Sequence, residues 1–292
     1  MTGITDLSEL SEKELFRLER EIANQHVGKF PHLAVIWSLT NFVVWVSLFP
    51  LVMFGYVPLW LGFILATFNI TLSYLPSHEA QHDIIARPGD RLRWLNELVG
   101  WIGSIPLLII YPVLKATHLE HHKHANNPEL DPDYYLHAET PLKAVWSHIQ
   151  SRQPRGPNTQ ADRYASTLSR IGREDLMVPQ IGLTLAYFGF LFTMAWCGFA
   201  LEVALLWWLP QQIAVSYIVF FLGWAPHHPG GTTERYRTTR SWRSNLGNLG
   251  SMGMQFHIVH HLHPRIPLYR TPQAYWQMKP ILEARGCDVD KL

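Results

Sequence analysis

The sequence predicts an all-α, polytopic membrane protein: four transmembrane helices in two hairpins, with a helical cap gathered on one side of the bilayer. Three observations predict it. Four runs of 21 to 24 residues carry no charge, and about 20 residues of helix cross a hydrocarbon core roughly 30 Å thick. Charged residues make up only 16% of the 292-residue chain, against about 25% in a soluble domain. All 24 Lys and Arg fall in segments that the four spans put on one side. Twelve Trp add the interfacial aromatics of a membrane protein, and a net charge of +1 argues against a nucleic-acid binder. The two cysteines, Cys197 and Cys287, predict no disulfide framework and no CxxC zinc site.

Residues 1–31 read as a cytoplasmic amphipathic segment without a signal peptide, since their charges precede any apolar run. Within it, residues 8–24 form a surface helix: Ser11-Glu-Lys-Glu14 has the capping-box pattern, and Leu15, Leu18 and Ile22 share one stripe. Spans follow at about 33–54 and 57–77, joined by Gly55-Tyr56, a link that allows only an antiparallel hairpin. Leu98 to Leu114 is uncharged over 17 residues, but it is short and broken by Gly100, Gly103, Pro106 and Pro112, so it reads as buried or re-entrant. A second hairpin spans about 178–201 and 203–226, with only Glu202 between. Residues 1–31, 86–178 and 225–292 then share a side and hold 4, 11 and 9 Lys plus Arg. The positive-inside rule puts that side, with both termini, in the cytoplasm. The whole of 1–292 reads as one domain.

Three histidine clusters fall on the same side: His78-Glu-Ala-Gln-His82, His118-Leu-Glu-His121-His122 and His257-Ile-Val-His260-His261. Residues i, i+3 and i+4 share one face of a helix, so each cluster aims two or three imidazoles at one point. Eight nitrogens are too many for one metal and suit two. The cap is therefore predicted to hold a histidine-rich di-metal site, and imidazole suits iron, zinc, copper or nickel. His227 or His228, at the end of the fourth span, is a candidate ninth ligand. Two other patterns compete. HExxH at 78–82 is also the zinc metalloprotease signature, with Glu79 as general base and Asp131 as a third ligand. A catalytic zinc takes three protein ligands plus water, which leaves the other two clusters unexplained. The string HPGG at 228–231 matches cytochrome b5 haem domains, but it ends a span instead of lying in a compact soluble unit, and reads as coincidence. His26, His32, His137 and His148 belong to no cluster and read as ordinary surface or interfacial residues.

HEAQHD at 78–83, HLEHHKHANNPELDPD at 118–133 and HIVHHLHPRIP at 257–267, together with the span pattern, resemble the membrane fatty acid desaturase superfamily, which includes carotenoid ring hydroxylases and ketolases. WAPHHPG at 224–230, Arg-Ser-Asn at 243–245 and the run from Gln255 to Gly286 look most like the carotenoid hydroxylase and ketolase branch. The pattern HHxxxNxxxxDPD at 121–133 also occurs in acyl desaturases. The resemblance implies a desaturase/hydroxylase-like domain whose catalytic group is a di-iron centre. The ligands it implies are His78, His82, His118, His121, His122, His257, His260 and His261, with His227 as the extra histidine and His228 as its competitor. Asp83, Asp131 and Asp133 are expected to accept the other ring N–H of ligand imidazoles, which fixes tautomer and orientation. Their alternative reading is plain solvation or helix capping. His124 and His263 lie off the helical spacing and are expected beside the ligands. Zinc can replace iron in purified protein, because affinity alone does not select iron.

Two irons imply an O₂-dependent oxidoreductase acting on an unactivated C–H bond of a lipid, chemistry that side chains alone do not supply. Oxygen return after hydrogen abstraction gives an alcohol, and a second abstraction gives a double bond; the ligands allow either. The first expectation is hydroxylation, or oxidation to a ketone, of a carotenoid β-ionone ring, and the alternative is desaturation of a fatty acyl chain. A metal-binding or transport membrane protein is the non-enzymatic alternative, and the uncharged spans count against it. The chain has no Rossmann glycine fingerprint, iron–sulfur spacing or haem domain. Electrons are therefore expected from a separate donor, a ferredoxin or a cytochrome b5-like protein, and the substrate from the membrane.

Overall fold

The computed structural model describes residues 7–152, 159–242, 247–251 and 253–289. The regular structure of these residues is helical, with one isolated strand-like bridge from Arg240 to Asp288. Helix α1 (Glu12–His26) starts at the expected capping box: the Ser11 hydroxyl accepts from the Glu14 N–H, and the Glu14 carboxylate accepts from the Ser11 N–H at 2.9 Å. The first hairpin is α2 (His32–Met53) and α3 (Leu59–Gln81). Next come α4 (Arg93–Ser104), α5 (Tyr111–His124), α6 (Pro141–Ser151) and α7 (Gln160–Arg170). The second hairpin is α8 (Met177–Trp196) and α9 (Ala200–His227). Helices α10 (His257–Leu262) and α11 (Thr271–Ala284) close the chain, and α1 lies against α11.

Helices α2, α3, α8 and α9 are each long and apolar enough to cross a membrane. Their outward faces carry bare apolar side chains, such as Leu185, Phe188 and Phe192 on α8. The turn of the second hairpin corrects the predicted spans. It lies at Cys197–Phe199, and Glu202 is in the first turn of α9. Gly198 takes φ +93°, a conformation open to glycine without strain, and α8 ends at Trp196, before Glu202 is reached. The stretch 98–114 is no straight span: α4, with its following turn to Leu107, meets α5 at 93°.

Helix α3 is the hub. Its buried face carries Gly62, Ala66, Asn69, Ser73 and Ser77, small residues at helical spacing. Lipid gives helices no hydrophobic reason to associate, so close backbone approach and interhelical hydrogen bonds must hold them. A Cβ on Gly103 of α4 would lie 2.6 Å from the Ser73 carbonyl oxygen. Trp45 of α2 donates to the Leu206 carbonyl at 3.2 Å, and Trp207 of α9 donates to the Pro106 carbonyl at 3.1 Å. Helix α9 contains two π-helical stretches, Ala204–Trp208 and Val219–Trp224, the second ending three residues before His227. Such turns cluster at functional sites.

Candidate metal centre

The histidines sit at helix ends that the sequence pins from outside. The last carbonyls of a helix lack intrahelical partners. At the end of α3, the Ala80 carbonyl accepts from Tyr111 Oη at 2.7 Å and from Asn96 Nδ2 at 3.0 Å, and Ser77 Oγ donates to the Gly100 carbonyl at 3.0 Å. These bonds tie the turn bearing His78 and His82 to α4 and α5. Helix α5 starts with Pro112, tolerated in a first turn, and ends in His118, His121 and His122. Helix α10 is a short helix that begins on His257 and carries His260 and His261.

These ends converge into two groups. His78, His82, His118, His122 and His260 offer five nitrogens within 4.8 Å of one another. His82 and His118 approach at 2.9 Å, His118 and His122 at 3.1 Å, and His122 and His260 at 3.0 Å, each Nε2 to Nε2. His121, His227 and His261 form the second group, with 3.2 Å between the Nε2 atoms of His121 and His227. His257 stands beside both, its ring 4.6 Å from that of His261 and 5.3 Å from that of His260, while its Nδ1 is 3.2 Å from the Met254 sulfur. The two groups adjoin where His122 and His261 stack at 4.1 Å.

This donor set fits metal ions. Two nitrogens each about 2.1 Å from one ion at a right angle are about 3 Å apart, which is the observed spacing. Burial, reinforced by the neighbouring imidazoles, pushes the pKa values of His257, His260 and His261 well below the ordinary histidine value. The neutral ring is the form that ligates a metal.

Of the three aspartates, Asp131 stands behind a ring. Its Oδ1 accepts from His121 Nδ1 at 2.9 Å, and the carboxylate also accepts from the N–H groups of Asn126 at 2.8 Å and Asp133 at 2.9 Å. This leaves His121 Nε2 for the cluster. Asp133 lies 3.9 Å from the same Nδ1 and accepts from Tyr164 Oη at 3.1 Å. Asp83 faces elsewhere: its Oδ1 pairs with Arg93 and Lys115, both at 2.5 Å. His227 is the histidine of its pair that joins the cluster, while His228 packs on Trp224 with ring centroids 4.6 Å apart. Glu79, the base of the protease reading, is buried and accepts from the Leu268 N–H at 2.6 Å.

A cavity of about 780 Å³ adjoins both groups. His78, His118, His121 and His257 line it together with apolar side chains of α5, α8 and α9, among them Leu114, Ile181, Phe188 and Leu222.

The sequence matches the fatty acid desaturase family model over residues 54–290, which takes in all three clusters. The chain belongs to this family. It is 27% identical over 214 residues to a zeaxanthin 4-ketolase of Chlamydomonas reinhardtii, covering 71% of this chain and 42% of that protein. It is 23% identical over 240 residues to an sn-1 acyl-lipid omega-3 desaturase (ferredoxin) of Nostoc sp. (strain 36), covering 69% and 63%. It is 27% identical over 208 residues to a beta-carotene ketolase of Paracoccus sp. (strain PC1), covering 69% and 72%. The chain thus spans less than two thirds of the length of the first two of these curated relatives.

Around this desaturase-family centre the sequence left several partners unseen. Glu19 of α1 is fully buried and meets His263 Nε2 at 2.8 Å, Tyr236 Oη at 3.1 Å and Arg285 Nε at 3.6 Å. His263 follows the third cluster by two residues, so the helix that reads as a plain surface element buttresses α10. His26 and His148 are buried too, bonded to Gln277 at 2.8 Å and to Arg152; neither is the surface histidine its isolation suggests. His124 turns to Glu120 at 3.6 Å. Several of these partners lie more than 200 residues away in the chain, such as Gln277 at 251 from His26, and no local pattern announces them. The Arg-Ser-Asn stretch at 243–245 lies outside the described residues.

Proposed function

We propose that this desaturase-family protein is an O₂-dependent di-iron membrane oxidoreductase that attacks C–H bonds of a lipid, hydroxylating a carotenoid β-ionone ring or oxidising it to a ketone. The observation that carries this reading is the cavity, lined largely by apolar side chains of the spans and reaching His78, His118, His121 and His257. His78, His82, His118, His122 and His260 would hold one iron; His121, His227 and His261, with His257 beside them, would hold the other. Bound iron supplies the one-electron and O₂ chemistry that side chains lack. The chain's own residues place the substrate, exclude water and fix the ligand rings. The cavity walls align one carbon of a long apolar molecule with the histidines and keep solvent from the reacting centre. Asp131 holds the proton of His121 on Nδ1, so that Nε2 keeps its lone pair for the metal.

Several features support further parts of the reading. In this reading residues 1–292 are one domain with the cap and both termini on the cytoplasmic side, which the distribution of Lys and Arg supports. Two electrons per turnover come from a separate ferredoxin or cytochrome b5-like donor, since the chain carries no redox motif of its own. Fatty acyl desaturation is the second reading, favoured by the omega-3 desaturase among the relatives. The protease reading is disfavoured, because five histidines exceed the three ligands a catalytic zinc takes, and one oxygen of Glu79 is engaged by the Leu268 backbone.

The test is expression in a host that makes β-carotene, with His121→Ala alongside, followed by mass spectrometry of pigments and lipids. Oxygenated carotenoid with the wild type alone is the expected result. New double bonds in host lipids and unchanged pigment would move the substrate to an acyl chain. Oxidised products in neither fraction, from iron-loaded protein supplied with a ferredoxin, would sink both readings.

A further inference from the structure

Arg152, just past the C-terminus of α6, carries a charge that the centre described above does not use. Its guanidinium lines the same cavity as the histidines. Its acceptors are all neutral. Nε donates to His148 Nε2 at 2.9 Å, and Nη2 reaches His148 Nε2 at 2.6 Å, the Gln212 carbonyl at 2.9 Å and Ser216 Oγ at 2.9 Å. Nη1 donates to Gln212 Oε1. No carboxylate among the described residues pairs with it, and residues 153–158 contain no Asp or Glu. A guanidinium has five N–H groups, and Nη1 has one recorded acceptor for two of them.

Its place along the cavity makes the missing counter-charge significant. Gln212 and Ser216 lie near the middle of α9, and α6 runs beside that helix; Ala138, just before α6, accepts from Trp224 at 2.9 Å through its carbonyl. At 1.5 Å per residue, Arg152's partners lie roughly 16–22 Å along the helix axis from His227. A guanidinium taken partly out of water without a counter-charge costs free energy that a ligand oxygen would offset. Glutamines from three elements, Gln160, Gln180 and Gln211, line the same cavity.

We propose that Arg152 is a binding residue for the remote end of the substrate. It donates hydrogen bonds to an oxygen at one end of a long apolar molecule whose reacting carbon, towards the other end, lies at the histidines. The inference rests on the lipid-oxidation reading and ranks its substrates, with molecules that carry an oxygen at that end bound more tightly than the hydrocarbon. The oxygen is a hydroxyl or carbonyl on the far ring of a carotenoid, or the carboxyl of an inverted acyl chain. A purely hydrocarbon substrate would leave the second Nη1 N–H without an acceptor from the substrate.

The experiment is equilibrium binding to the purified full chain in nanodiscs, read by quenching of tryptophan fluorescence, so that it does not depend on turnover. Two pairs of probes are used: β-carotene against zeaxanthin, and octadecane against an 18-carbon fatty acid. The wild type is expected to bind the oxygen-bearing member of at least one pair about 10- to 100-fold more tightly, the worth of a hydrogen bond to a charged group. Arg152→Met should abolish that preference while moving the hydrocarbon's affinity less than about twofold. A preference in the carotenoid pair agrees with ring oxidation. A preference in the acid pair alone supports Arg152 and sends the reaction to acyl chains. If Arg152→Met does not give a monodisperse protein, Arg152→Lys decides, with a loss of about 3- to 10-fold expected for the oxygen-bearing member alone. No preference in either pair, or the same change (or none) for both members, would overturn the proposal.

Discussion

The two histidine groups grow from adjoining helix ends yet differ in what stands behind them. The first gathers five imidazoles, and the carboxylates nearest to it in sequence look away, Glu79 to the Leu268 N–H and Asp83 to Arg93 and Lys115. The second gathers three, and one of these, His121, leans on a buried aspartate that two backbone N–H groups hold in turn. A carboxylate behind an imidazole fixes its tautomer and raises its basicity. The first group thus has number, and the second has orientation and charge.

The strongest way to break this comparison is to remove one nitrogen from each group. His118→Ala and His261→Ala should each lower product formation by more than about 100-fold, beyond what loss of a partner behind a ligand costs. Metal per chain, measured by inductively coupled plasma mass spectrometry, should fall from two towards one in both. Two full equivalents in purified His261→Ala would show that the second group is no metal site.

Next in size is Asp131→Asn. It keeps the shape and removes the charge behind His121, so affinity for one ion and activity should fall about 10- to 100-fold. Loss of both ions together, seen as a single step in a chelator titration, would contradict a role confined to the second group.

Glu19→Gln tests the support shared by both groups, because α10 contributes His260 to one and His261 to the other. Burial pushes the Glu19 carboxyl up, but the His263 hydrogen bond and charge, Tyr236 and Arg285 outweigh it and hold the carboxyl below the usual range. Its ionised form therefore stabilises the fold above the ordinary carboxylate pKa, and that contribution fades as pH falls through the lowered folded value. The variant should cost about 2 kcal/mol near neutral pH and lose this part of the acid-side decline. Thermal melts from pH 3 to 7 would show it. Metal affinity should drop alike for both ions.

How much of this was legible in the chain follows from the range of the signals. Uncharged runs and i, i+3, i+4 histidines are local, so the spans and clusters can be read from the sequence, and eight of the nine candidate histidines fall in the two groups. The turn at Gly198 was misplaced because an uncharged helix end looks like an uncharged helix middle. The choice of His227 over His228 needed a structure, since adjacent residues on a helix differ by about 100° in direction. Glu19 and Arg152 were invisible for another reason. Their meaning lies in partners 244 and 60 residues away, and a glutamate on an amphipathic helix looks like any solvated charge.

The smallest predicted effect sharpens the comparison from the other side. Asp83 and Asp131 each follow a histidine cluster, and the sequence gives them the same expected task. Asp83 instead occupies the left-handed conformation just past α3, with φ +55°, and binds Arg93 and Lys115. Asparagine tolerates that conformation as well as aspartate does. Asp83→Asn should therefore lose only the value of a partly exposed ion pair, about 1 kcal/mol of stability, and leave metal affinity within about twofold. A loss as large as that of Asp131→Asn would mean that Asp83 turns towards an imidazole once metal is bound. The first group would then be oriented by charge in the same way as the second, and the distinction between them would disappear.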